Sequence, residues 1–429
     1  MFNKIELVNE KTLIIGIDIA KKIHWARFTN SRGITIGKPF KIENTAEGMA
    51  NLSVRISELI KEYSCTSVLM GFEPSGHYWR TLAWYFKTTE GITLVGVNPY
   101  HVKQLKELED NTQTKNDQKD ALVIAHLIRD GRFFEIYMPD DDYAELRILR
   151  RHREQMSVNR KRVINNIYTL MDEYFPEYES IGFSYGSPSS NAILRATPFP
   201  TDILSFTPEE LWKEWKSHSN LQRTRIPKKL AVMFIETAEK SIGVGVGFGL
   251  SAARLKLNDL LDQIELLNKQ IDNCDEMMSQ IISRLDIEQY LTSVPGVGKV
   301  IAASFIAETG DLNRFSDWKQ VRKLAGLNLV EQSSGQHKGK TTISKRGRPD
   351  LRRIIYIIGD KGMLVSTEMM EFYQYLRHRP NNQLKHDQAV LAVGLKLMRI
   401  LFHVVKHREL YDPQKALGEY RISQIVNAA

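Results

Sequence analysis

The stretch Thr12–Asp18, TLIIGID, running on into Ile19–Lys22, IAKK, decides how the N-terminal third of the chain reads. Its aliphatic run predicts a short buried strand that ends in a carboxylate. Working outward, IHWARFT and a third β-rich run near Ile34 to Ile42 follow after short turns, and a helical pattern covers Ala46 to Glu62. SVLMGF, a further helix, ITLVGV and more helix complete residues 12 to 138. Three strands joined by short turns, then strands separated by helices, predict one α/β domain built on a mixed sheet.

A carboxylate at the end of a buried strand costs desolvation unless a cation or hydrogen-bond donors meet it. Asp18 ends TLIIGID in this way, and Glu73 follows SVLMGF before Pro74, Ser75 and Gly76 turn the chain away. In KNDQKDALVIAHLIRDGR, Asp117 and Asp120 stand three apart on a helix and so share one face. Four such acids in one cleft would repel, two of them by about 4 kcal/mol at 4 Å and an effective dielectric near 20. Convergence therefore implies divalent cations with hard oxygen ligands, Mg²⁺ above all, and phosphodiester chemistry. Taken singly, the acids also read as turn and helix-cap residues. The GID tripeptide is similar to the first strand of actin-like phosphotransferases, but the bulky Ile19 and Lys21 stand where that fold needs a glycine-rich loop.

From Tyr143 to Phe175 the pattern is one long basic helix. Arg150, Arg151, Arg153 and Lys161 are candidates for phosphate contact, although a solvated helix packing through Leu146, Leu149, Val163 and Ile167 fits equally. Prolines at 176, 188, 198, 200, 208 and 227 mark residues 176–249 as an insertion or subdomain, with SIGVGVG read as a flexible hinge. Leu250 to Leu285 carries Leu257, Leu260, Leu261, Ile264, Leu267 and Ile271 at near-heptad spacing, which predicts pairing with the basic helix or with another subunit. Residues 288–429 read as a mainly helical C-terminal domain. Its Pro295, Gly296 and Gly298 suggest a helix-hairpin-helix whose backbone N–H groups meet phosphate, or a plain turn between helices. Beyond it, a Ser333-Ser334-Gly335 loop runs into Lys338, Lys340, Lys345, Arg346, Arg348, Arg352 and Arg353. A serine beside such cations could attack a phosphodiester, yet a serine before glycine is more often only turn chemistry.

At 429 residues the chain has room for two or three cores, and we divide it at 1–140, 141–175, 176–249, 250–287 and 288–429. A net charge of +8 tilts the reading toward a polyanionic partner. The two cysteines, Cys65 and Cys274, exclude a disulfide framework and a thiolate zinc site, so any metal is bound by oxygen. No signal peptide is read at the N-terminus and no apolar run approaches the length needed to cross a bilayer, so the expected location is the cytoplasm, away from membranes.

Together GIDIAKK, FEPSGHY, KNDQKDA, SVPGVGKVIAASFIAETGD, FSDWKQVRKLAGL and SSGQHKGKTTISKRGRPDLRR resemble the DEDD insertion-sequence transposases of the one-ten family. The resemblance implies an RNase H/RuvC-like N-terminal domain with Asp18, Glu73, Asp117 and Asp120 as its metal-binding tetrad, a coiled-coil segment and a C-terminal transposase domain. It further implies Ser334, with Ser333 as fallback, as nucleophile of a recombinase that works through a phosphoserine link. Mg²⁺, donor and target DNA, a noncoding bridge RNA and a homo-oligomer, dimer or tetramer, are the partners it implies. A RuvC-like endonuclease that hydrolyses DNA with water, and a silent nucleic-acid scaffold, are the other two readings.

Overall fold

The computed structural model describes residues 4–109, 117–139, 141–182, 184–218, 226–245, 248–331 and 341–426. The chain forms two compact units, Met1–Met138 and Pro139–Ala429.

In the first unit TLIIGID is strand β1 (Thr12–Asp18), followed by β2 (Ile23–Thr29) and β3 (Thr35–Glu43). Helix α1 (Ala46–Glu62) begins at Thr45, whose hydroxyl accepts from the Gly48 N–H. Then come β4 (Ser67–Phe72), α2 (Trp79–Phe86), β5 (Ile92–Val97), α3 (Pro99–Glu109), α4 (Asp117–Arg129) and β6 (Phe133–Glu135). The sheet order is β3-β2-β1-β4-β5-β6. Strands β1, β2 and β3 pair antiparallel, β1, β4 and β5 pair parallel, and β6 returns antiparallel. This order and polarity are consistent with the RNase H-like sheet expected above.

Strand alternation splits the core in two. Leu13, Ile15, Ile17, Val68, Met70 and Phe72 pack with α1 and α2 on one face. Ile14, Leu69 and Val95 pack on the other, with Val123, Ile124 and Leu127 of α4. Helix α4 reaches the sheet closely because β1 carries Gly16, where a β-carbon would stand 2.2 Å from the Ala121 carbonyl oxygen.

The second unit is helical: α5 (Asp141–Tyr174), α6 (Pro188–Ala196), α7 (Pro208–His218), α8 (Lys228–Ala238), α9 (Leu250–Arg284), α10 (Glu288–Ser293) and α11 (Lys299–Thr309). Helices α12 (Trp318–Leu324), α13 (Pro349–Val365), α14 (Thr367–His378), α15 (His386–His407) and α16 (Glu419–Val426) follow, with a small hairpin of β7 (Leu329–Glu331) and β8 (Thr341–Ile343) after α12. Helices α5 and α9 run antiparallel: Arg284 bonds Asp142 at one end, Arg153 meets Asp275 in the middle, and Arg160 Nε donates to Asn268 Oδ1 at 2.6 Å. The near-heptad stripe of α9 thus pairs with the basic helix of its own chain, burying Leu257, Leu260, Leu261 and Ile264 against Val163, Ile167 and Leu170.

This helix pair crosses two cores. One is aromatic, with Tyr178, Phe199, Trp215 and Phe234 from residues 176–249. The other joins Leu146, Met278 and Ile282 to the C-terminal helices. In the described part of the segment read as a flexible hinge, residues 241–245, Val244 N–H donates to Glu173 O at 3.0 Å and Ile242 N–H to Glu177 Oε1 at 3.0 Å, and beyond the segment Tyr174 Oη donates to Phe248 O at 2.9 Å. Backbone bonding to the end of α5 overrides the freedom that its glycines suggest.

Contrary to the sequence expectation, α15 is long and apolar enough to span a bilayer by length and composition. Its Val390, Val393, Leu397 and Leu401 instead lie at the centre of the C-terminal core, which explains its hydropathy.

Candidate nucleic-acid-processing site

Parallel pairing of β1 with β4 sets Ile17 opposite Phe72, so the next residues, Asp18 and Glu73, leave adjacent strands at the same edge. Neighbouring strands lie about 4.8 Å apart. Asp18 shares its face with Ile14 and Gly16, the face that α4 covers, and Glu73 continues the alternation of Leu69 and Gly71 onto the same side. Helix α4 runs against β1: Arg129, near its end, approaches Gly33 beyond the far end of β1, while Ala121 lies over Gly16. Its first turn, with Asp117 and Asp120, therefore points toward the Asp18 edge.

The turn behind Asp18 is braced from below. His24 is fully buried on β2, and its Nδ1 accepts the Ala20 N–H at 3.2 Å. Asn44 donates from Nδ2 to Lys21 O at 3.2 Å, and the Thr81 hydroxyl donates to Asn44 Oδ1 at 3.2 Å. Burial pushes the His24 imidazole below its ordinary value, against the opposing pull of the Asn44 side chain.

Asp120 is paired with Lys106 of α3, and its side chain is only 14% exposed. The Asp117 side chain lies outside the described residues. Among those described, no three His, Cys, Asp or Glu side chains stand together as a ready metal cluster. Sequence reading expected four converging acids. The backbone brings Asp18, Glu73 and the start of α4 to one edge, with Asp120 held by an ammonium. An all-carboxylate donor set suits a hard divalent cation, which would take the place of Lys106 at Asp120.

Residues that sequence reading missed line the same edge. Asn98 follows β5, accepts the Tyr100 N–H at 2.9 Å through Oδ1 and starts α3, a signal present in the Asn-Pro pair. His101 Nδ1 is buried without a hydrogen-bond partner among the described residues. Lys106 and His24 carried no sequence signal, because their roles arise only from packing.

The basic candidates divide. Arg150 is buried, 3.6 Å from Glu154 and 3.9 Å from Asp350, so its guanidinium is turned into the protein rather than toward solvent. Arg153 forks onto Asp275, with Nη2 to Oδ2 at 3.0 Å, and Arg353 pairs with Glu154. Arg348 bonds the Glu308 carbonyl, and Arg352 Nη1 donates to the Ala325 carbonyl at 2.9 Å. Arg151, Lys161, Lys345 and Arg346 are exposed. Ser333, Ser334, Gly335, Lys338 and Lys340 lie outside the described residues.

Gly296 (φ +77°) turns the chain between α10 and α11, and a β-carbon there would stand 2.4 Å from the Gly362 nitrogen, so the hairpin is seated on α13. Around Gly298, the N-cap of α11, the space is open.

An acidic strand edge beside a helix N-terminus, on a mixed sheet of this polarity, is consistent with an RNase H-like domain that carries a carboxylate site. Two family models match: the DEDD transposase of IS110 type over residues 15–176, and the transposase of the IS116/IS110/IS902 family over residues 288–374. Between them they cover more than half of the chain. A protein of insertion element IS116 from Streptomyces clavuligerus is 26% identical over 93% of this chain and 96% of its own length. One named for transposition of the IS117 mini-circle, from Streptomyces coelicolor, is 24% identical over 95% of this chain and 97% of its own. A solved structure, T. thermophilus RuvC in complex with Holliday junction substrate, is 14% identical, covers 29% of this chain and 99% of its own, and has a TM-score of 0.22. The chain belongs to the IS110/IS116/IS902 family of DEDD transposases, enzymes that act on DNA.

This assignment corrects one expectation. The matched family is a DEDD transposase family and not one of serine recombinases, which overturns the reading of a phosphoserine intermediate. The physical ground for that reading was thin from the start, since a serine in a glycine-bearing loop is ordinary turn chemistry. Nucleases of the DEDD class typically use divalent metal ions.

Proposed function

We propose that this transposase cuts DNA at the strand edge formed by Asp18, Glu73, Asp117 and Asp120, with Mg²⁺ as its cation. What supports the reading above all is the shared rung: Ile17 pairs with Phe72, so two carboxylates follow on adjacent parallel strands beneath the start of α4. When bound, a pair of divalent ions there offsets carboxylate repulsion and charge developing on the attacking and leaving oxygens. The chain's own part is placement. The buried strands β1 and β4 hold Asp18 and Glu73 rigidly, the His24 and Asn44 bonds fix the turn behind Asp18, and α4 brings two further acids with its positive helix end. The attacking oxygen, from water or a DNA hydroxyl, comes from outside the chain.

Gly296 and Gly298, with Lys345 and Arg346, would meet DNA phosphates, the first pair through backbone N–H groups at the start of α11. The reading extends to a noncoding guide RNA on exposed cations and to action as a homo-oligomer in the cytoplasm. Asp18→Asn tests the core of it. The variant should bind element-end DNA as the unaltered protein does and lose Mg²⁺-dependent strand cleavage by at least about a thousandfold. Undiminished cleavage would remove Asp18 from the site. Pull-down of a defined RNA with the full chain, and its mass by light scattering, test the two extensions.

A further inference from the structure

Among the described residues, three cations of the C-terminal helices, Lys396, Arg399 and Arg421, pair with no acid. Lys396 and Arg399 stand three apart on α15 and so share a face. Arg421 comes from α16, its guanidinium 5.1 Å from the Phe372 ring and 5.6 Å from that of Tyr375, with Nη1 donating to Gln424 Oε1 at 2.6 Å. Arg399 lies 5.5 Å from the Trp318 ring, which Arg322 also approaches at 5.1 Å. Aromatic rings and an amide therefore hold these guanidinium groups, and among the described residues no carboxylate pairs with Lys396, Arg399 or Arg421. Burial lowers the Lys396 amine from its ordinary value, and Arg399 and Arg421 push it the same way.

Neighbouring like charges repel one another. Two other arginines of this unit, Arg150 and Arg153, carry acids, Glu154 and Asp275. An anion from outside would relieve the cluster. The cations come from two helices, with Arg399 exposed and Lys396 and Arg421 partly exposed, a form suited to successive phosphates along a backbone.

We propose that Lys396, Arg399 and Arg421 form a phosphate-backbone contact for duplex DNA on the α15–α16 face, beyond residue 374, where the matched family segments end. This rests on the DNA-acting reading of the chain. The contact is sequence-independent, and it would hold the duplex without taking part in cleavage.

The test is salt-dependent binding of a duplex of element-end sequence to the full-length protein and to a variant with Lys396→Gln and Arg399→Gln. The slope of log affinity against log salt should fall by about 1 for each cation removed, with affinity down about tenfold or more at physiological salt. Arg421→Gln should lower the slope by a further unit, whereas Arg421→Lys should keep it. Melting temperatures unchanged or raised would accompany the loss, since repulsion is removed. An unchanged slope in a variant that melts normally overturns the proposal and leaves the DNA reading intact. Failure of the unaltered protein to bind the duplex overturns both. A slope that falls only with an RNA hairpin of equal length would replace DNA by RNA at this face and overturn the proposal as stated.

Discussion

Gly16 on β1 and Ala121 on α4 are in backbone contact: a β-carbon at position 16 would lie 2.2 Å from the Ala121 carbonyl oxygen and 2.4 Å from the Ala125 nitrogen. The helix that carries Asp117 and Asp120 rests directly on the strand that carries Asp18, with a missing side chain as the reason for the approach. Gly16→Ala should force the two apart and cost about 1–3 kcal/mol as overpacking, read as a lower denaturant midpoint. DNA cleavage should fall further than the loss of folded protein explains. A stable variant with full cleavage would show that the spacing of strand and helix is immaterial to the chemistry.

Lys106 pairs with Asp120, so its ammonium and a divalent ion would compete for one carboxylate. Lys106→Met should lower the Mg²⁺ concentration for half-maximal cleavage by about two- to fivefold, the range expected for losing a partly exposed ion pair. A titration of cleavage against Mg²⁺ measures this. A rise in the half-saturating concentration would assign the lysine to substrate or to fold instead.

His24 links stability to pH. Burial depresses the folded imidazole below the unfolded value of 6.5. Above that value both states are neutral and the group contributes fully. As pH falls below it, the unfolded chain takes up a proton that the folded chain refuses, so stability drains at up to about 1.4 kcal/mol per pH unit. The fall continues until the folded group titrates. Denaturant midpoints between pH 7.5 and 5 should therefore decline more steeply for the unaltered protein than for His24→Gln, and parallel curves would discount the histidine.

Arginines on α5 differ in kind. Arg150→Met removes one partner of a buried ion pair and leaves Glu154 to Arg353 alone, so it should destabilise the fold while leaving the DNA affinity of the folded protein alone. Arg151→Gln and Lys161→Gln remove exposed charges and should each lower the salt slope of DNA binding by about 1 without changing stability. Loss of DNA binding in the Arg150 variant alone would reverse this division.

Much of the sheet was legible before the structure, because aliphatic runs ending in Asp18 and Glu73 carry both strand signal and edge position in the same few residues. Helix α1 could be placed at Ala46–Glu62 by its periodicity and its Thr45 cap. The basic helix was legible as a helix and illegible as a surface. Charge alone cannot distinguish Arg151, in solvent, from Arg153, which faces Asp275 at a distance of 122 residues along the chain. The same holds for Lys106, whose partner follows from how α3 packs on α4. Helix α15 was passed over as an apolar run, although a core helix and a membrane span can share one composition.

The paired helices α5 and α9, of 34 and 35 residues, also set a length. At about 1.5 Å per residue they form a rod of about 50 Å that carries the aromatic core of residues 176–249 at one end and the C-terminal core at the other. Such a rod is a ruler. Seven residues added to each helix at matched positions would move the far cap outward by about 10 Å and return it to within about 20° of its original bearing. Whatever that cap touches should then be met one step further along, a displacement that footprinting on DNA would report in base pairs.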